Sequence, residues 1–413
     1  SSFDYRNGVF RQFRSNFIDD TIPDAIRWRK QVSTSALVNA EYRINDNNKL
    51  RATSILINTV KDEVFEGGRA GNATIFEETN PAEGLFQFIR DQNIKKTFLS
   101  VNQLFGEHKL SEKNTLTYGI GFNYLSADEP NRIRNEVNFN PSFVQLGRNG
   151  GFQQRKSAQF IEDFDYVARI NNQIQFVEED TKTIQLNLGA NYRNRSRGFQ
   201  SVFVGVQETS TNAINPESID RISEIFTQTN FDNNLLKLNL LTPDLYIGEL
   251  ETLAGYVDFI GVFGKITLEA GARFQNDNIY VLFDVNNFAG RIGETNKDYN
   301  RLYPSLNVKY ALTENSSLRF AGSTSTTLPE FKEIAPFEYV SPTGQITRGN
   351  PDIEASRNAT FDLKYEVFPS REQLFSLTGF YKHIKNPINK VQDRGSAGVF
   401  SYFNTSERAR VFG

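Results

Sequence analysis

The chain has 413 residues and a formal net charge of −3, so it offers no basic stripe to a nucleic acid. It contains no Cys and no Met, which excludes a disulfide framework and thiolate chemistry. Aromatics make up 13%, with 36 Phe and 16 Tyr, and no apolar run reaches the roughly 18 residues of a membrane-spanning helix.

Taken in chain order, the main signal is alternation with period two. Residues 36–44 set Ala36, Val38, Ala40, Tyr42 and Ile44 against Leu37, Asn39, Glu41 and Arg43. Residues 115–124 set Leu116, Tyr118, Ile120, Phe122 and Tyr124 against Thr115, Thr117, Gly119, Gly121 and Asn123. The pattern returns at 183–193, where Ile184, Leu186, Leu188, Ala190 and Tyr192 oppose Gln185, Asn187, Gly189 and Asn191. It returns again at 266–274, with Thr267, Glu269, Gly271 and Arg273 on the polar side, and at 361–367. Such runs reach about ten residues, enough to cross a bilayer at a tilt.

Short polar turns fall at 45–48, 107–114, 178–181, 313–316 and 369–372, with a tight turn at Gly264. Long connectors fall between them, at 61–93, 128–162, 206–250, 284–298, 328–356 and 385–395. Short and long alternate, as periplasmic turns and extracellular loops do in outer-membrane barrels. Counting from the turns predicts about fourteen strands. Hydrocarbon leaves no backbone donor or acceptor unsatisfied, so the expected fold is all-β, a transmembrane antiparallel barrel with lipid outside and a polar lumen. Aromatics near strand ends are expected to form girdles: Trp28, Tyr42, Phe65, Phe98, Tyr124, Tyr166, Tyr192, Tyr246, Tyr303 and Tyr381. A soluble sandwich or adhesin would seldom sort its loops this way, and no propeller repeat is present.

Residues 301–391 carry a family likeness. Tyr303-Pro304-Ser305-Leu306 opens a strand, Ser317-Leu318-Arg319 follows a hairpin turn, and Pro329-Glu330-Phe331 enters a loop. Gly349-Asn350-Pro351, Tyr365-Glu366, and Phe380-Tyr381-Lys382 leading to Asn386-Pro387-Ile388 follow in order. The tail 407–413 resembles the start of a further strand. This block resembles the barrel of a TonB-dependent outer-membrane receptor, most closely the subfamily with an N-terminal carboxypeptidase-regulatory-like domain. The resemblance implies a 22-stranded barrel around a plug, uptake of a bulky nutrient (siderophore, oligosaccharide or peptide), and energy from the TonB–ExbB–ExbD complex. With no Met at Ser1, the chain reads as an internal stretch of the barrel, with the plug, the TonB box and both barrel ends outside it. The alternative is a non-transporting barrel, a porin or a scaffold for a surface lipoprotein or secretion assembly. Outer-membrane lipid, TonB–ExbB–ExbD and a surface lipoprotein are thus the expected partners, with no nucleic acid among them.

The loop 328–356 is the expected ligand contact, through Phe331, Glu333, Phe337, Tyr339, Arg348 and Asn350: aromatics beside polar groups suit flat ligands with hydrogen-bonding rims. The plainer alternative is that Gly349-Asn350-Pro351 shapes a turn and the aromatics pack the loop. His108 and His383 are the only histidines, too few for a multi-His metal site. Glu162-Asp163-Phe164-Asp165 is read as a solvated acidic strand end rather than a calcium site. No nucleophile motif lies near His383, so neither catalysis nor a cofactor is expected.

Overall fold

The computed structural model describes residues 2–14, 17–73, 84–146, 154–179, 182–210, 213–214, 216–341, 345–370, 372–392 and 399–413. The strands in chain order are β1 (Ser2–Arg14), β2 (Phe17–Asn45), β3 (Asn48–Gly67), β4 (Phe86–Ser111), β5 (Asn114–Asn140), β6 (Phe143–Leu146), β7 (Gln154–Glu179), β8 (Lys182–Glu208), β9 (Leu236–Leu240) and β10 (Asp244–Phe263). They continue as β11 (Ile266–Asp284), β12 (Ile292–Thr313), β13 (Ser316–Thr327), β14 (Glu338–Val340), β15 (Ile346–Arg348), β16 (Ser356–Ser370), β17 (Gln373–Lys385), β18 (Ile388–Gln392), β19 (Val399–Asn404) and β20 (Arg408–Phe412). Short helices α1 (Gln228–Asp232) and α2 (Phe331–Ile334) lie in connectors.

Fourteen of these strands form one wall, β1-β2-β3-β4-β5-β7-β8-β10-β11-β12-β13-β16-β17-β20, and every neighbouring pair is antiparallel. The strand count matches the expectation from the turns. So does the sorting of connectors, with turns at Asp46–Asn47, Glu112–Lys113, Gly264–Lys265 and Glu314–Asn315 at one end. Asp180, Thr181 and Arg371 of two further expected turns lie outside the described residues. Gly264 takes φ +58°, a left-handed conformation open to glycine without strain.

The expected loop limits need correction. β2 runs 29 residues and β5 and β8 run 27 each, far beyond a bilayer's thickness. Stretches read as connectors at 61–93, 128–162 and 284–298 are in good part strand. The reason lies in the side chains. Near the short turns the outward face of β11 is Ile266, Leu268, Ala270, Ala272 and Phe274, and the inward face is Thr267, Glu269, Gly271 and Arg273. Above Phe274 the sides exchange: Asn276 and Asn278 point outward, while Ile279, Val281 and Phe283 point inward and are buried. The same exchange carries β10 from outward Leu253 to outward Glu251 and Glu249. Lipid selects apolar outside residues in the lower half, and water selects polar ones above it.

The inward apolar upper faces are covered by the long connectors. One core gathers Phe199, Tyr246, Ile279, Val281 and Phe283 from the wall with Phe331, Ile334, Phe337 and Ile353 from the 328–356 loop. A second sets Phe88 and Val137 against Ile219, Ile222 and Ile225 of the 206–250 connector. Tyr42, Phe98, Tyr166, Tyr192 and Tyr381 are exposed on the wall, as a girdle requires. Phe65 and Tyr246 correct that reading: Tyr246 is buried in the first of these cores, and Phe65 in a separate cluster with Ile22 and Ile89. Tyr303 faces inward, its hydroxyl donating to Thr326 at 2.8 Å. Among the described residues no helix is long and apolar enough to cross a membrane, which says nothing of strands.

Candidate functional site

Below the apolar cores, the inner wall is organised in cross-strand rungs. One rung runs Phe105, Gly119, Arg169, Asn191, Ala254, Gln275 and Arg301. The rung above it runs Gln103, Gly121, Val167, Arg193, Thr252 and Asp277. Between them, and open to the lumen, is a cavity of about 480 Å³ lined by Gln103, Phe105, Arg169, Arg193, Arg273, Gln275 and Asp277, with Leu328 above.

Its polar groups are preorganised. Arg273 donates to Asn191 at 2.6 Å and to Gln275 at 2.8 Å, and Gln275 donates to Asp277 at 2.8 Å. Thr252 donates to the same Asp277 at 2.7 Å. Arg193 is held by Asp165 through two bonds, at 2.8 and 3.1 Å. The Arg169 guanidinium lies over the Phe105 ring, 4.9 Å from its centroid. A Cβ on Gly119 would fall 2.7 Å from that ring and 3.1 Å from Arg169 Nε, so glycine is what lets both side chains sit there. Three guanidiniums thus meet one lining carboxylate, and Asp277 is already engaged by neutral donors. The cavity favours ligands carrying negative or strongly accepting oxygens.

The next rungs up are ionic. Asp163 accepts from Arg195 at 2.8 Å and from Arg197 at 2.7 Å. Asp163 and Asp165 of the stretch read as a solvated acidic strand end are therefore ion-paired inside the wall, and Glu162 is its one carboxylate that faces outward, accepting from Tyr124 at 3.0 Å. Farther round the mouth, Arg132 clasps Asp91 through its Nε and Nη2, while Arg155 is buried near Arg132 and Arg134. Burial, with those two like charges next, pushes the Arg155 pKa well down.

A roof crosses this site. The 328–356 and 385–407 connectors build a four-stranded sheet, β14-β15-β19-β18. Its far edge reaches the opposite wall, where Arg132 donates to the Val340 carbonyl at 2.8 Å and lies 5.6 Å from the Tyr339 ring centroid. Its near side is tied by Lys297 to Glu354 at 3.1 Å and by the Tyr299 hydroxyl to Glu354 at 2.9 Å.

The six loop residues expected to touch ligand fall into different roles. Phe331 is 4% exposed, with Arg195 and Arg197 each 5.8 Å from its centroid, and Phe337 packs against Phe199 with tilted rings 4.5 Å apart. Both are packing residues in this structure. Glu333 closes a capping box with Glu330 on α2. Arg348 approaches Glu338 at 3.9 Å. Asn350 donates to the Tyr402 carbonyl and accepts from Asp352 N, shaping the turn. Tyr339 is exposed. Sequence reading missed the luminal arginines, because Arg169, Arg193 and Arg273 stand on three separate strands. The available signal was their shared phase with the polar side of each alternation. Among the described residues no group of three or more His, Asp or Glu could hold a metal ion. His108 instead bonds Asn48 at 2.6 Å and stacks on Tyr118.

The wall, its inverted sidedness and its sorted turns define an outer-membrane β-barrel. Residues 217–410 match the model of the outer membrane protein beta-barrel family, a match that contains the 301–391 block quoted above. No curated protein matches the chain. Among solved structures, the siderophore receptor PiuA from Acinetobacter baumannii is similar with 11% identity and a TM-score of 0.48, over 92% of this chain and 57% of that one. The ferric-catecholate import receptor Fiu from K12 E. coli aligns with 10% identity and a TM-score of 0.47, over 94% and 60%. BauA, the ferric preacinetobactin receptor from Acinetobacter baumannii, aligns with 11% identity and a TM-score of 0.44, over 98% and 59%. The chain thus spans less than two thirds of each of these proteins.

Proposed function

We propose that this barrel takes up a bulky nutrient across the outer membrane in a TonB-dependent manner, with no chemical step. The observation that carries the proposal is the roofed luminal cavity, which Arg169 and Arg273 line with no carboxylate bonded to either among the described residues, while Arg193 beside them is paired with Asp165. Such a site suits a ligand with anionic or phenolic oxygens, the chemistry of a siderophore, better than a neutral oligosaccharide. In this reading Arg169 and Arg273 bind the ligand's oxygens, and the Phe105 ring holds the Arg169 guanidinium in place. The roof excludes water, and energy from the TonB–ExbB–ExbD complex opens the path.

The test is uptake of a radiolabelled ferric catecholate by cells producing the full-length protein, with and without TonB. Uptake that requires TonB and falls at least ten-fold in the Arg169→Gln/Arg273→Gln double variant supports the proposal, since each charge-assisted bond contributes about 1.5–3 kcal/mol. Uptake independent of TonB would instead make the barrel a passive pore. No uptake of any anionic ligand would leave the scaffold reading.

A further inference from the structure

Above its polar outward belt the wall turns apolar again. On β10 the outward residues climb from Leu253 through Glu251 and Glu249 to Ile247 and Leu245. At about 3.4 Å per residue and a tilt of about 45°, Leu245 stands roughly 19 Å above Leu253 and the lipid-facing band. The headgroup layer takes up only about 5–8 Å of that height, so this level is in water. The rung of Leu245 runs on through Asp284 to Ile292 on β12, and neighbouring strands add Phe160, Leu238 and Leu240. All six apolar side chains are exposed, Leu240 by 70% and Ile292 by 67%. An exposed apolar patch of this breadth with a polar rim marks an interaction surface. It lies mid-wall, for β8 and β10 stand seventh and eighth among the fourteen strands.

The backbone of β9 is open beside this patch. Among the described residues β9 pairs with β8 alone. Thr209 N donates to the Leu235 carbonyl at 3.0 Å, and Leu241 N donates to the Phe203 carbonyl at 3.3 Å. The bonded positions of this ladder are therefore the odd-numbered ones of β9, and the N–H and C=O groups of Leu238 and Leu240 point off its other edge. No hydrogen bond reaches them among the described residues. An edge with unpaired backbone groups accepts an added strand. Below the patch the rim is acidic: Glu249, Glu251, Glu294 and Asp298 are exposed. Glu294 accepts from the Tyr280 hydroxyl at 2.9 Å and Asp298 from Asn300 at 2.7 Å, and none of the four is in an ion pair among the described residues. Asp284, inside the patch, is by contrast held by Arg291 at 2.7 Å.

We propose that the open edge of β9 and the apolar face beneath it dock an extended segment of a partner protein, one that alternates apolar and basic residues. The segment adds as a strand to β9, bonding to the backbone of Leu238 and Leu240. Its apolar side chains continue the outward face over Leu245 and Ile292, and its cations meet Glu294 and Glu249. The unpaired backbone calls for a polypeptide, since a lipid supplies no ladder of donors and acceptors. The rim sets the sign of the partner: a second copy of this chain would bring a second acidic rim, and the phosphates of a lipid surface carry the same charge as the rim.

The experiment titrates the full-length protein, in neutral detergent, with a fluorescent twelve-residue peptide of alternating valine and lysine. A peptide of alternating valine and glutamate is the comparison probe. The lysine peptide is expected to bind at least ten-fold more tightly and to slow hydrogen exchange at Leu238 and Leu240. The Glu249→Gln/Glu294→Gln variant, changed only at exposed side chains, should lose about five-fold in affinity. Leu240→Pro removes an N–H that the β8 ladder does not use, and should lose about ten-fold while the Lys237 and Asn239 amides stay protected. Equal binding of the two peptides, binding that leaves the Leu238 and Leu240 amides unprotected, or no binding at all overturns the proposal. So does unchanged affinity in the glutamine variant. Slow exchange at the same amides without peptide also overturns it, assigning the face to a second copy if native mass spectrometry shows a dimer, and to lipid if it appears only in nanodiscs.

Discussion

Phe331 is the strongest single anchor of the roof, and its removal tests the whole arrangement. Its ring sits in a notch above Gly248, where a Cβ would come within 2.5 Å of it, and both Arg195 and Arg197 lie over it at 5.8 Å. Phe331→Ala removes a side chain that is 4% exposed, a change that costs about 3–5 kcal/mol in a core that does not collapse. The wall does not depend on this ring, so the loss falls on the roof. The reporting amides are Ala335 N, bonded to the Phe331 carbonyl at 2.9 Å, and Asn350 N, bonded to the Glu333 carbonyl at 2.6 Å. At about 1.4 kcal/mol per factor of ten, their hydrogen exchange should speed up by roughly two to three and a half orders of magnitude, while amides of β10 and β11 stay protected. Gly248→Val should do the same from the other side, by filling the notch. Mass-spectrometric exchange on the full-length protein reads both. If peptides from 328–350 exchange as in the parent protein, the loop is held by something other than this packing and the argument fails.

Three further outcomes follow from the same geometry. Asp163→Asn leaves Arg195 and Arg197 without the carboxylate that holds them and should destabilise the barrel by about 3–5 kcal/mol, seen as a lower temperature for loss of the heat-modifiable gel form; an unchanged temperature would show the pair to be dispensable. Leu306→Arg, which faces lipid, should cost about 2–4 kcal/mol, whereas Asn307→Arg, facing inward beside Glu269, should be tolerated; equal effects would refute the assigned faces. Burial in the roof raises the Glu338 pKa against the pull of Arg348. A raised carboxylate contributes stability that is present below its ordinary value and lost as pH rises through the raised one. Roof amides at β14 and β15 should therefore be better protected in acid than at neutral pH, and Glu338→Gln should flatten that dependence. Protection that instead rises with pH through this range would contradict it.

What the sequence made legible was the part of each strand that lipid touches. Residues 115–124 and 266–274 alternate cleanly because every outward side chain meets hydrocarbon and every inward one meets water or polar protein. Above that level the strands continue, but Asn276, Asp277 and Asn278 come in succession, and polar residues in a row end the clean alternation. The phase is intact there, with Ile279, Val281 and Phe283 inward. Only the sign has changed, and nothing local announces the change. The candidate site was hidden for a related reason. Arg273 was visible as one polar member of an alternation. That it shares a cavity with Arg169 and Arg193 depends on register across three hairpins, and register is set by pairings distant in sequence. The loop aromatics were legible as important with two roles open, because an aromatic that packs and one that binds look alike until burial is known.

The order of the inner rungs suggests how such a mouth works. Going up the wall, the inward residues pass from the hydrogen-bonded Arg273 and Gln275, through rungs where the ion-paired Arg195 and Arg197 stand level with Ile279 and Val281, to the apolar Phe199, Tyr246 and Phe283. The apolar rungs hold the roof, and opening it would expose them to water, so the closed form is favoured by burial. The ionic rung is satisfied within the wall by Asp163, so it does not lose its partners when Phe331 leaves. The cavity below keeps its donors aimed whether the roof is closed or open. A ligand that fills the cavity and touches Leu328 therefore favours the closed roof by adding contacts on its lower side, and reopening the mouth must break them. Closure is then coupled to occupancy through contact at one loop residue. Leu328→Ala should accordingly weaken ligand-induced protection of the roof more than it weakens ligand binding, and equal losses in the two would disprove the coupling.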